Sequence, residues 1–167
     1  AISVIWGLLL AHRGPKPRGR AAWILDLHRY LGTLSIVFLV IHLAALRMDR
    51  FQPFYAGDLF LPMHSEWKPE AVAWGIVSMF LLLAVQITSF FRTRMSKRLW
   101  HSLHLLSFPM LLAGSVHAFT AGTDTASEII RYSSIGTGVV LSGVLALRIA
   151  SIRYRRRKHA TPGGPAR

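Results

Sequence analysis

Four long apolar runs dominate this chain, at about Ala22 to Leu46, Ala71 to Phe91, Leu99 to Ala121 and Ile129 to Ile152. At ~1.5 Å per residue, each can cross a hydrocarbon core of about 30 Å as a helix. The runs are apolar throughout rather than striped, which marks membrane helices rather than surface helices. A shorter run, Ala1 to Ala11, is too short to span. It is expected to be the cytoplasmic half of a first helix that is cut short. The expected fold is an all-α integral membrane protein, a five-helix transmembrane bundle.

Composition agrees. The 167 residues are 52% hydrophobic, with mean hydropathy +0.39, too apolar for a soluble domain of this size. A net charge of +13 would ordinarily suggest nucleic acid. Here the cations cluster between the runs, as topology signals do, so no nucleic-acid partner is expected. They fill His12 to Arg20, Arg92 to Arg98 and the tail, Arg153 to Arg167. The two remaining loops hold six of the seven acidic residues. Basic segments mark the cytoplasmic side, and all three share a side in the five-span arrangement. The expected location is a bacterial plasma membrane, multi-pass, with the tail in the cytoplasm. Residues 1–152 then form the membrane domain, and 153–167 a basic, disordered tail. The loop from Phe51 to Trp67 mixes aromatic and polar residues and is expected in the interface. The chain has no cysteine, which excludes disulfides, iron–sulfur clusters, thiolate-bound haem and c-type attachment.

Two of the runs carry paired histidines: His28 and His42 on one, His104 and His117 on the other. Separations of 14 and 13 residues are roughly 20 Å of helix. Each run thus offers one imidazole near each membrane face. Fourteen residues return to within about 40° of the starting direction, so His28 and His42 share a face. Thirteen leave His117 roughly 140° from His104. A kink at Pro109 is the expected relief. His101 competes with His104 as a ligand, with no better spacing. The two runs point the same way through the membrane, so level matching pairs His28 with His104 and His42 with His117. Four imidazoles in hydrocarbon without partners would cost about 1–3 kcal/mol each. Axial ligation of two haem irons supplies the partners. With two imidazoles per iron no position stays open, which suits electron transfer.

Small and basic residues lie near both levels. Gly32 is one turn after His28, and Gly114 nearly one turn before His117; each fits close approach of a porphyrin or ordinary helix packing. Arg29 and Arg98 on one side, Arg47 or Arg50 on the other, and Arg148 within the last run could meet haem propionates, or snorkel. His12, His64 and His159 fall in loops or the tail and are expected to be solvated or structural.

The stretch LHRYLGTLSIVFLVIHLAAL (Leu27 to Leu46), with RLWHSLHLLSFPMLLAGSVHAFTAGTD (Arg98 to Asp124), resembles the ferric reductase-like transmembrane domain. The resemblance extends over nearly the whole chain. Trp100-x-x-Leu103-His104-x-Leu106 is similar to that family's second ligand helix, which favours His104 over His101. The resemblance implies two b-type haems and transmembrane electron transfer, making the chain an oxidoreductase membrane subunit. Many relatives continue into a flavin- and NADPH-binding domain, whereas these residues contain no G-x-G-x-x-G loop and no flavin or nicotinamide site is expected. The electron donor is expected to be a separate flavoprotein or a membrane quinol, and the acceptor an extracytoplasmic ferric chelate, oxygen or redox protein. Two other functions use the same residues: a proton-coupled transporter with a histidine relay, and a non-catalytic membrane anchor.

Overall fold

The computed structural model describes residues 2–12, 20–122, and beyond them 127, 128, 132, 133, 135–140, 142, 143, 146, 147, 150 and 153. Among these, every regular element is helical. Three helices are long and apolar enough to cross a membrane: Trp23–Met48, Pro69–Phe90 and Lys97–Ala121. The expected last span, Ile129 to Ile152, lies partly outside the described residues, as do Arg148, the break at 13–19 and the tail beyond Arg153.

The first helix, α1 (Ile2–His12), has 11 residues and is too short to span. It leans on α2 (Arg20–Met48), where the Trp6 indole N–H donates to the Ile24 carbonyl at 3.1 Å. Within α2, Thr33 and Ser35 donate to the carbonyls of Arg29 and Leu31 four residues back. That satisfies their hydroxyls in an apolar surrounding without a partner helix. Val37, Phe38, Val40 and Ile41 are exposed, as fits a lipid-facing surface.

After α2 comes the short helix α3 (Ala56–Phe60), followed by α4 (Pro69–Phe90). Pro69 opens α4 where a missing N–H costs nothing, and Lys68 before it takes a left-handed φ of 42°. α4 is the central rod. Its small residues Ala71 and Gly75 face α6 (Ser107–Ala121), whose Ala113 and Gly114 answer them, and such residues let membrane helices approach closely. Three hydrogen bonds cross this seam: Ser78 Oγ to the Met110 carbonyl at 3.0 Å, Lys68 Nζ to the Thr120 carbonyl at 3.0 Å, and His117 Nδ1 to the Ala71 carbonyl at 2.8 Å. A buried apolar cluster of Phe54, Leu59, Val72, Ile76 and Met79 ties α3 to α4, with Leu39, Leu43 and Leu46 of α2 packed against it.

The expected span from Leu99 to Ala121 is two helices. A 3-10 turn at Arg92–Arg94 leads into α5 (Lys97–His104), capped by Ser96 Oγ accepting the Leu99 N–H at 3.3 Å. The winding breaks at Leu105 and Leu106, before α6 begins. The break lies four residues before Pro109. That proline has no N–H for the Leu105 carbonyl, which takes the Phe108 N–H at 3.1 Å instead. The disturbance expected at Pro109 is therefore displaced by one turn, directly after His104.

Candidate functional site

The break after His104 rotates the last rod so that both of its histidines meet α2. His28 and His104 face each other with ring centroids 6.0 Å apart and planes at 72°. His42 and His117 do so at 6.2 Å and 77°. His101 is exposed and stands beside Trp100 rather than opposite His28. The four histidines thus form two levels: one at the arginine-rich end, the other near the 51–68 loop.

Three of the rings are held by their Nδ1 atoms. His28 Nδ1 lies 3.1 Å from the Ser3 carbonyl oxygen, and His117 Nδ1 lies 2.8 Å from that of Ala71. A carbonyl only accepts, so Nδ1 carries the proton and Nε2 keeps its lone pair. This is the outer-shell arrangement that readies an imidazole for a metal. His104 Nδ1 is 3.3 Å from Ser89 Oγ, which suits the same tautomer. His42 has no hydrogen-bond partner among the described residues.

Glycines make room for these rings. A Cβ on Gly75 would sit 2.7 Å from the His117 ring, and one on Gly7 would sit 3.2 Å from His28. Gly32 instead lies against Gln86, and Gly114 against Ser78; both positions serve helix contact, and Gly114 also lines the cleft described next. The second level opens into a shallow cleft of about 160 Å³, walled by Leu39, Leu82, Met79 and Ile76 with His42 and His117.

At the first level, Trp100 stacks on His104 at 5.1 Å and 25°, and the Arg92 guanidinium lies over the indole at 5.8 Å. The Trp100 N–H is buried and has no acceptor among the described residues. Of the arginines expected near the levels, Arg29 pairs with Asp26 at 3.3 Å on an exposed face. Arg47, Arg50 and Arg98 are exposed.

Sequence reading missed one pair. His64, expected to be merely solvated or structural, places Nδ1 2.8 Å from Asp58 Oδ1, while Asp58 Oδ2 accepts the Tyr55 N–H at 2.8 Å. The hydrogen bond from His64, then that from Tyr55, holds the Asp58 carboxyl below the usual carboxylate range. A group so depressed stabilises the turn above that range, and the contribution is lost as pH falls through the lowered value. Hydrogen exchange at the Tyr55 amide, relative to its intrinsic rate, should therefore stay slow down through the ordinary carboxylate range and quicken only at lower pH. Protection at neutral pH unchanged in Asp58→Ala would contradict the role given to Asp58.

Among the described residues, no three of His, Cys, Asp and Glu converge on a bare metal ion. Each level offers two imidazoles and no third side-chain ligand. That set suits a metal arriving with four ligands of its own, as in a porphyrin. With metal–imidazole bonds of ~2.0–2.1 Å, two imidazoles across one metal put their ring centroids about 6 Å apart, the spacing of both pairs.

No curated protein and no solved structure matches the chain. The family described as the ferric reductase like transmembrane component does match, over residues 2–115. That stretch includes His28, His42 and His104 and ends two residues before His117. Covering well over half of the 167 residues, the match places this chain in the ferric reductase-like transmembrane family.

Proposed function

We propose that the chain carries electrons across a membrane through two b-type haems, from a donor on the cytoplasmic side to an acceptor outside. His28 and His104 would hold the inner haem, and His42 and His117 the outer. The observation that carries this reading is the pair of facing imidazoles at 6.0 and 6.2 Å, with Nδ1 of His28 and His117 tied to backbone carbonyls. Ring spacing, tautomer and glycine cradles all fit an axially bound porphyrin. The indole N–H of Trp100 supports the same fit, because a haem carboxylate is the kind of acceptor that the described residues do not provide there.

When bound, the haems supply the one-electron chemistry. The chain supplies the rest. Its four imidazoles would hold the haem irons, and its apolar walls would keep water from them. The Arg92, Arg94, Lys97 and Arg98 cluster marks the cytoplasmic end, where the donor would arrive: a separate flavoprotein, a quinol or another redox protein. The acceptor would be a ferric chelate, oxygen or a partner protein. In this reading the region from Ile129 to Ile152 adds a span, α1 belongs to a further one, and the five helices sit in a bacterial plasma membrane with the tail inside.

A reduced-minus-oxidised optical spectrum tests the proposal. The purified protein should show b-type bands and about two haems per chain. Crossed ring planes of 72° and 77° act almost equally on the two iron d orbitals that imidazoles perturb. The oxidised form should accordingly give strongly anisotropic low-spin resonance signals. A colourless protein would overturn the reading, and a transporter or a simple anchor would be colourless.

A further inference from the structure

At its arginine-rich end the chain cannot balance its own charge. Arg92 and Arg94 of the 3-10 turn, with Lys97 and Arg98 of α5, are all exposed. None of them forms an ion pair among the described residues. Six of the seven acidic residues fall between residues 49 and 70 or after α6. The seventh, Asp26, is engaged by Arg29 at 3.3 Å. Counter-charge for this patch has to come from another molecule.

The helix that carries half of the patch is built for a surface. Lys97, Arg98, His101 and Ser102 of α5 are exposed, whereas Trp100, Leu103 and His104 are partly covered. Residues three and four apart share a side of a helix, so the two sets face different ways. A side with two cations belongs in water rather than in hydrocarbon. The covered side reaches the first histidine level. Trp100 stacks on His104 at 5.1 Å with planes 25° apart, and the Arg92 guanidinium lies 5.8 Å from the same indole. One aromatic ring thus joins the charged surface to His104.

We propose that this surface, from Arg92 to Ser102, is where the electron donor docks, and that the donor is a soluble redox protein with an acidic face. The inference rests on the haem reading above and narrows its donor to one class. A quinol is uncharged and arrives through the lipid, so four unneutralised cations do nothing to hold it. Anionic lipid headgroups would balance the charge but leave the contact of Trp100 with both Arg92 and His104 without a role. An acidic protein face accounts for both: it neutralises the cations and brings its redox group to the indole. Opposite charge also speeds the encounter.

The test uses flavodoxin, a small acidic protein that gives up single electrons from its flavin, and the full chain in discs of neutral lipid. Binding of labelled oxidised flavodoxin, followed by fluorescence anisotropy, should weaken about tenfold between roughly 0.01 M and 0.1 M salt, as the screening length falls from about 30 Å to about 10 Å. Arg94→Gln with Lys97→Gln should weaken it about fivefold at the lower salt, with haem content unchanged. Arg94→Lys with Lys97→Arg keeps the charge and should bind as the unmodified protein does. Arg156→Gln with Arg157→Gln removes as much charge from the tail and should change binding by less than about twofold. In the haem-loaded protein, flavodoxin hydroquinone should pass one electron to ferric iron and become the semiquinone, at a rate that follows the same salt and variant pattern. No binding, equal losses in the patch and tail variants, or binding that vanishes once phosphatidylglycerol is mixed into the disc overturns the docking surface; the last outcome assigns the patch to lipid. A colourless protein overturns the haem reading whatever it binds, and a haem-bearing protein without affinity for flavodoxin overturns the docking surface alone.

Discussion

Replacing His42 by alanine should halve the haem content, from about two per chain to about one. The remaining haem should keep its bis-histidine spectrum, because His28 and His104 stand at the other level with their own anchors, Ser3 and Ser89. The levels are roughly 20 Å apart along α2, and substitutions so separated act independently. His117→Ala should match His42→Ala, and the double variant should lose no more than either alone. Haem extraction and a reduced spectrum on the same sample decide the matter. Loss of both haems, or of neither, would break the level pairing.

The second large effect is expected where no ligand is touched. Gly75→Ala should also cost the outer haem. The added carbon would sit 2.7 Å from the His117 ring, closer than carbon atoms pack. The ring must swing away, breaking its 2.8 Å hydrogen bond to the Ala71 carbonyl and turning Nε2 from His42. Haem content should fall toward one per chain with the helices still formed by circular dichroism. Gly143→Ala serves as the control, since a Cβ there meets nothing within 4 Å. Full haem content in Gly75→Ala would show that the glycine serves only helix packing.

The positions of α2 and α4 and the facing of the histidines could be read from the chain itself because both follow from helix geometry. Apolar length locates α2 and α4 to within a few residues. A spacing of 14 puts His28 and His42 on one face. Spacing alone argued against His104 and His117, and what reconciles them is local. Pro109 cannot serve the Leu105 carbonyl, so the chain tightens there and α6 starts in a new phase. The effect of a missing N–H appears four residues upstream, which pattern reading assigns to the proline itself. Other parts of the site have no one-dimensional signature. Ser3 and Ala71 contribute only backbone carbonyls, which every residue possesses. The Asp58–His64 contact spans six residues through a left-handed methionine, a conformation that residue type does not announce. Trp100 is different: it lies four residues before His104, so one helix face already joined them.

Joined along a seam of glycine and alanine, with three hydrogen bonds across it, α4 and α6 make a firm hairpin. Among the described residues α2 has no such seam with α5 or α6; its imidazoles meet those of His104 and His117 edge to face, and apolar contact with α4 and α3 holds the rest. One half of the molecule is therefore a jig and the other a jaw. On the proposed reading, His28 and His42 would tie α2 to the rest at two heights once the haems are held. Starving cells of haem should then leave α2 open to proteases while α4 and α6 survive.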